Sequence, residues 1–158
     1  MKNTGRVFLI ALLVLTATGA LAEGNNRYGV RAGYTDWDGL QQAHVGLTAY
    51  LGELWPNIEF IPNVEFGFGD NTFITTVNGD VVYFFTEMVS YPWGLYGGGS
   101  LSFNIVDPDV GDTQTDLGLS GLVGTTYTLA NRHKAMAEFR FGILDSPTFK
   151  ITFGYTLF

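Results

Sequence analysis

The stretch KITFGYTLF, residues 150–158, closes the sequence. Together with the preceding Phe149, it alternates: Phe149, Ile151, Phe153, Tyr155 and Leu157 share one parity, while Lys150, Thr152, Gly154 and Thr156 share the other. A period of two puts these sets on opposite faces of a β-strand. Chain ends gain little by docking and are usually polar and frayed. An apolar strand followed by the aromatic Phe158 therefore calls for a surface other than water to receive it.

The same period runs back through the chain. RYGVRAGYT sets Tyr28, Val30, Ala32 and Tyr34 against Gly29, Arg31 and Gly33, and AHVGLTAYLG sets Val45, Leu47 and Ala49 against His44, Gly46 and Thr48. IEFIPNVEFGFG, TFITTVNGDVVYFF, WGLYGGGSLSFNI, DLGLSGLVGTTYTL and KAMAEFRFGI repeat the pattern, which gives eight strands in all. Turn formers cluster between them in DWDGLQ, ELWPN, GDN, TEMVSYP, VDPDVGDTQT, ANRH and LDSP, where Gly, Pro, Asn and Asp favour tight connections. Only the segment from Asp107 to Thr115 reads as a longer loop. Pro62 lacks a backbone donor inside a strand, so a bulge or a ladder break is expected near it.

The beginning of the chain sets the compartment. MKNTGR carries Lys2 and Arg6, and the apolar run VFLIALLVLTATG and the small residues ALA follow. That is the layout of a cleaved secretory signal peptide, too short for a spanning helix. Residues 1–22 are read as the signal peptide, with cleavage after Ala22, and residues 23–158 as one domain of 136 residues. Removing Lys2 and Arg6 leaves six bases against fifteen acids, a formal charge of −9. This excludes a nucleic-acid partner, which needs a basic patch. The absence of cysteine excludes a disulfide framework, thiolate chemistry and a lipoprotein anchor.

Alternating strands describe a soluble barrel with an apolar interior and a membrane barrel with an apolar exterior equally well. Composition separates them. The polar parity is rich in glycine, including Gly29, Gly33, Gly46, Gly94, Gly98, Gly118, Gly124, Gly142 and Gly154, and poor in charge. Glycine weakens a strand and adds no solubility, whereas an eight-stranded interior must be filled by side chains of limited size. The ionisable residues on that parity are Arg31, Glu59, Glu65, Asp80, Glu138, Arg140 and Lys150, with His44. Three bases against four acids fit an ion-paired, blocked interior better than the one-sided charge ring of a channel. The expected fold is an all-β, eight-stranded, antiparallel up-and-down transmembrane β-barrel, closed because no unpaired strand edge is tolerated in hydrocarbon. Trp37, Trp55, Tyr91, Trp93 and Tyr127 near strand ends are expected in aromatic girdles.

These features, with NVEFGFGDNTF, YGGGSLSFN and FRFGILDSPTFKITFGYTLF, resemble the small outer-membrane β-barrel superfamily of the OmpA transmembrane domain and OmpX. The resemblance implies a cell-outer-membrane location in a Gram-negative envelope and a monomer among lipid and lipopolysaccharide. It also implies that Phe158 is the assembly signal, read by the barrel-assembly machinery through the C-terminal strand. Family strands usually keep their aromatics in phase with the last Phe, whereas Phe153 and Tyr155 here share parity with Leu157. A periplasmic amino terminus would place Asp36, Asp38, Asp70, Asp107, Asp109, Asp112, Asp116 and Asp145 at one outer rim, where Asp suits turns and keeps the rim wet. The spacing in DPDVGD is not that of a calcium loop.

Some relatives are lipid A-modifying enzymes, and the deacylases carry His-x-Ser on a strand. Here His44 is followed by Val45-Gly46 and His133 by Lys134-Ala135, so no base–nucleophile pair is read and no catalytic, metal or cofactor residue is assigned. The role expected is structural or surface-interacting. The alternatives are a minimal or gated pore, a soluble lipocalin-like binding barrel, for which TDWDG lacks the required glycine, and a lipid A-modifying enzyme.

Overall fold

A computed structural model describes residues 27–157. The signal peptide over residues 1–22 and the assembly signal Phe158 lie outside them. The strands are β1 (Arg27–Trp37), β2 (Leu40–Tyr50), β3 (Glu53–Trp55), β4 (Ile58–Gly69), β5 (Thr72–Phe84), β6 (Trp93–Pro108), β7 (Gln114–Thr128), β8 (Lys134–Leu144) and β9 (Phe149–Thr156). All neighbours are antiparallel, and β1 pairs with β9 while β2 pairs with β4, so the eight long strands close on themselves. The short β3, inside a segment expected to be wholly turn, extends the wall beside the start of β4.

Two hairpin turns set the register. Asp38 and Gly39 have φ of 51° and 90°, and Asp70 and Asn71 have φ of 47° and 54°. Positive φ at both central residues is the two-residue hairpin whose twist matches that of the flanking strands, and Asp, Asn and Gly tolerate it best. Starting from Ala32, partners run through Val45, Phe66, Thr75 and Ile105 to Thr115 on β7. In the other direction they run through Phe153 and Ala137 to Thr125 on the same strand. The stagger, 125 against 115, tilts the strands by about 40° in a barrel of this strand number.

The barrel is inverted relative to a soluble one. Leu101, Leu117, Phe153 and Ile143 are more than 60% exposed on its outside. Inside, Asn104 and Thr152 are fully buried, and Glu65, Asp80, Ser100 and Ser120 nearly so. A lipocalin-like arrangement, with the apolar parity lining a cavity, is therefore not the one adopted. Glycines on the inner parity admit neighbouring groups. A Cβ at Gly124 would collide with the Tyr96 ring, and one at Gly98 with the backbone carbonyl of Val81.

One expectation is corrected, and at Pro62 the second of the two expected outcomes, a ladder break, is found. β6 runs through Pro108, with Asp107 paired to Phe73, and β7 begins at Gln114, so the long loop shrinks to residues 109–113. Pro62 does not bulge the β4–β5 ladder, where it pairs in register with Gly79. The missing donor coincides instead with the end of the β2–β4 ladder, which stops at Thr48–Asn63, one residue short of Pro62.

Candidate functional site

The middle of the barrel holds a charge cluster built from five strands. Arg31 on β1 donates from Nη2 to Glu138 Oε1 at 2.9 Å, and Arg140 Nη2, on β8, donates to the same oxygen at 2.9 Å. Arg140 Nη2 also donates to Asp80 Oδ2 on β5 at 2.8 Å, while its Nη1 donates to Ser100 Oγ at 2.9 Å. Glu65 on β4 receives Lys150 Nζ from β9, and its Oε1 lies 2.9 Å from Arg31 Nε, close enough for ion pairing but without hydrogen-bond alignment. Neutral groups add to the network, although Asp80 Oδ1 and Arg140 Nε stay without a hydrogen-bond partner: Asn63 Nδ2 donates to Asp80 Oδ2 at 2.8 Å, Asn78 Nδ2 to Asn63 Oδ1 at 2.7 Å, and Tyr96 Oη to Glu138 at 3.1 Å.

Period two explains the convergence. These residues share the inner parity, and the stagger brings positions far apart in sequence to the same height. Six of the seven ionisable residues singled out in the sequence meet here, as three bases and three acids. Glu59 does not. It is half-buried at the end of the barrel where both described termini lie, beside an open cavity of about 430 Å³ also lined by Arg27, Glu53 and Lys134. Its absence turns a three-to-four count into an electrically neutral cluster.

Two layers flank the charges. Toward the termini, Ile61, Val82, Tyr96 and Leu122 form a small apolar core inside the barrel, with Tyr50 and Phe84 packed on it. The cavity left between this core and the charge cluster is about 10 Å³, no more than one water needs. Toward the opposite rim, Thr76 Oγ1 donates to Asn104 Oδ1 at 3.0 Å, and Asn104 Nδ2 donates to the carbonyl of Asp145 at 3.3 Å. His44 lies between hydroxyls, with Nδ1 2.8 Å from Thr35 Oγ1 and Nε2 3.1 Å from Thr152 Oγ1. This base–hydroxyl contact was not foreseen in the sequence, because the partners come from β1 and β9. All three side chains are at most 5% exposed, so no substrate reaches them.

Outside the barrel, charge is partitioned by end. All eight aspartates of the hairpin rim lie there without a Lys or Arg, while the terminal end mixes Arg27, Arg132 and Lys134 with Glu53, Glu59 and Glu87. Asp70 accepts from Gln41 N and Asp107 from Thr113 Oγ1, so some of these carboxylates hold turns together. Among the described residues, no group of three or more His, Asp or Glu side chains is placed to hold a metal ion. Aromatic side chains ring the terminal end. Trp93 and Tyr127 are direct cross-strand partners with centroids 4.8 Å apart, and Tyr91 and Trp55 are strongly exposed. Tyr28, Tyr83 and Tyr155 complete this ring, although sequence position alone did not single them out. Phe68 and Phe73, 5.2 Å apart, and Tyr34 and Phe149, 6.0 Å apart, mark the other end.

No protein-family model and no curated protein sequence matches the chain. Solved structures do match it. Neisserial surface protein A is similar at a TM-score of 0.67 and 15% identity, over 84% of this chain and 94% of that one. The N-terminal β-barrel domain of Pseudomonas aeruginosa OprF is similar at 0.59 and 14%, over 85% and 98%. The Yersinia pestis outer membrane protein Ail, in a phospholipid bilayer nanodisc, is similar at 0.50 and 13%, over 84% and 100%. The chain has the closed eight-stranded antiparallel barrel fold of these small surface and outer-membrane proteins.

Proposed function

We propose that the protein is an integral outer-membrane β-barrel with a plugged lumen and a structural or surface-interaction role rather than an enzymatic one. The observation that carries this is the inversion itself, an apolar outer wall around a neutral, buried cluster of three bases and three acids. In water such a wall would expose far more contiguous apolar surface than a monomer tolerates. In lipid it is the required surface. On β5 the outward apolar residues run from Phe73 to Tyr83, which at about 3.3 Å per residue and a tilt of about 40° spans roughly 25 Å, the height of an outer-membrane apolar band.

On this reading, residues 1–22 direct export, Phe158 serves the barrel-assembly machinery, and the amino terminus faces the periplasm. The acidic hairpin rim then faces outward among lipopolysaccharide. The lumen is blocked twice, by the ion-paired cluster and by the apolar core beneath it. A transient opening would have to break several charge-assisted bonds at once, so no steady solute flux is expected. The absence of an exposed nucleophile beside His44 favours a non-enzymatic role.

The test is to fold residues 23–158 into detergent, compare gel mobility with and without boiling, and then measure conductance in a planar bilayer. The expected result is a heat-modifiable monomer, insoluble without detergent, that inserts and gives no sustained open state. A chain that stays folded and monomeric in plain buffer overturns the membrane reading. A steady conductance overturns the plug and leaves a pore.

A further inference from the structure

We infer that the outer wall over β9, β1, β2 and β4 holds one glycerophospholipid, its acyl chain in a groove on this wall and its phosphate on the β7–β8 turn. The inference rests on the membrane reading above. The groove is a shallow depression of about 590 Å³, open along its length, with almost no polar lining. Its floor is the Ala32 methyl, with bare backbone at Gly46 and Gly154. Its walls are Val30, Val45, Leu47, Phe66, Phe153 and Tyr155. The register explains the hollow, since Ala32 pairs directly with Val45 on one side and Phe153 on the other, a methyl between two larger side chains. Elsewhere on the outer wall three glycines have a neighbouring ring against them, Gly97 beside Phe85 among them, while Gly99 is open. The Phe60 ring lies over Gly79 and the Phe141 ring over Gly121. Ala32 is exposed, and the groove is left open.

What identifies the occupant is the end of the groove toward the termini. Tyr155 belongs to the groove wall and also to the turn below it, where Asn131 Nδ2 donates to its hydroxyl at 3.4 Å and the His133 ring lies 5.3 Å away. Between those two residues sits Arg132, exposed, with φ of 68° and no ion pair to any described residue. The turn that Tyr155 touches thus carries a guanidinium with no ion pair to a described residue, an imidazole and an amide, a set of donors that suits a phosphate. An apolar trough whose end residue, Tyr155, contacts a turn with these donors matches one molecule with both parts, an acyl chain joined to a phosphate. The opposite rim has eight aspartates and no base, so a phosphate finds no direct partner there. The site is thus confined to the periplasmic-side leaflet.

The experiment is native mass spectrometry of the folded barrel released from phosphatidylglycerol vesicles, with heat-modifiability confirming that each variant is folded. Wild type is expected to retain one phosphatidylglycerol. Ala32→Phe, which fills the groove, and Arg132→Gln, which removes the cation, should each lower retention at least fivefold. Val123→Phe, on another part of the wall, should leave it unchanged. If Ala32→Phe fails to fold, Ala32→Leu takes its place. Equal retention by all variants means annular lipid only and overturns the inference, as does loss with Arg132→Gln but not with Ala32→Phe. A dimer that Ala32→Phe dissolves would assign the groove to a second copy and also overturn it. Each of these failures leaves an inserted, heat-modifiable barrel, whereas failure of the membrane reading abolishes insertion.

Discussion

Glu65 and Glu59 lie on the same strand and the same parity, six residues apart, yet their environments are unlike. Glu65 is 1% exposed between Lys150 and Arg31, whereas Glu59 faces an open cavity and makes no ion pair with any described residue. Removing one partner of a buried ion pair leaves the other charge uncompensated, at a cost of about 3–5 kcal/mol. Glu65→Gln keeps the shape and strands two cations, so it should destabilise the barrel by about 3 kcal/mol. Glu59→Gln should stay within about 0.5 kcal/mol of wild type, as do most substitutions away from such networks. Urea unfolding in detergent micelles, read by tryptophan fluorescence, separates the two. Asn104→Leu belongs with Glu65→Gln in direction: it leaves Thr76 Oγ1 and the Asp145 carbonyl without their partner, at a cost of about 1–3 kcal/mol. That the inner parity carries charge was legible from alternation. Which charges meet was not, because a pair such as Arg31 and Glu138 is 107 residues apart and is joined only by closure.

At the scale of the strand, glycine has two separate uses, and they make different predictions. At Gly124 the space is taken by a side chain, the Tyr96 ring, while at Gly98 it is taken by the backbone carbonyl of Val81. Gly124→Val should block folding in the wild-type background and be partly rescued by Tyr96→Ala, which empties the space. Gly98→Val should block folding in both backgrounds, because a backbone carbonyl on a paired strand cannot rotate away. The fraction of chain showing the unboiled mobility reads both outcomes. The hairpin turns add a third case. Gly39 has φ of 90°, so Gly39→Val should cost about 1–3 kcal/mol through backbone strain alone. The two-residue turns DG and DN were readable as turn signals, and the strands they join are found there. The extension of β6 and β7 past Asp107 and Asp116 was not readable, because Pro, Asp and Gln carry weak strand preference. Pairing with β5 and with each other overrides it.

For the molecule as a whole, the arrangement of charge is the property that most constrains behaviour. The barrel interior is balanced, the terminal end carries three bases and three acids, and the hairpin rim carries eight aspartates alone. Exposed carboxylates in loops contribute little to stability and are screened by salt. Replacing Asp107, Asp109 and Asp112 together by Asn should therefore change unfolding stability by less than about 1 kcal/mol. The same triple variant should shift the electrophoretic mobility of the native barrel toward lower net negative charge. Destabilisation well beyond that bound would mean that the rim carboxylates organise the β6–β7 hairpin through more than the Asp107–Thr113 bond, which Asn can keep.

By itself, the sequence determined the eight long strands (though not the short β3), the two faces of each strand and the inversion of the barrel. Those properties are local: a period of two needs only neighbouring residues, and a glycine-rich, charge-poor polar parity already excludes a water-facing surface. Closure and stagger decided the rest. The neutral cluster of three bases and three acids, the exclusion of Glu59, the contact of His44 with Thr35 and Thr152, and the open groove at Ala32 all depend on which residues stand at one height around the barrel. The height of each residue is fixed by the register of eight ladders acting together. No single strand carries that information, because a one-residue slip in any ladder would leave its own alternation intact while exchanging its faces against every neighbour.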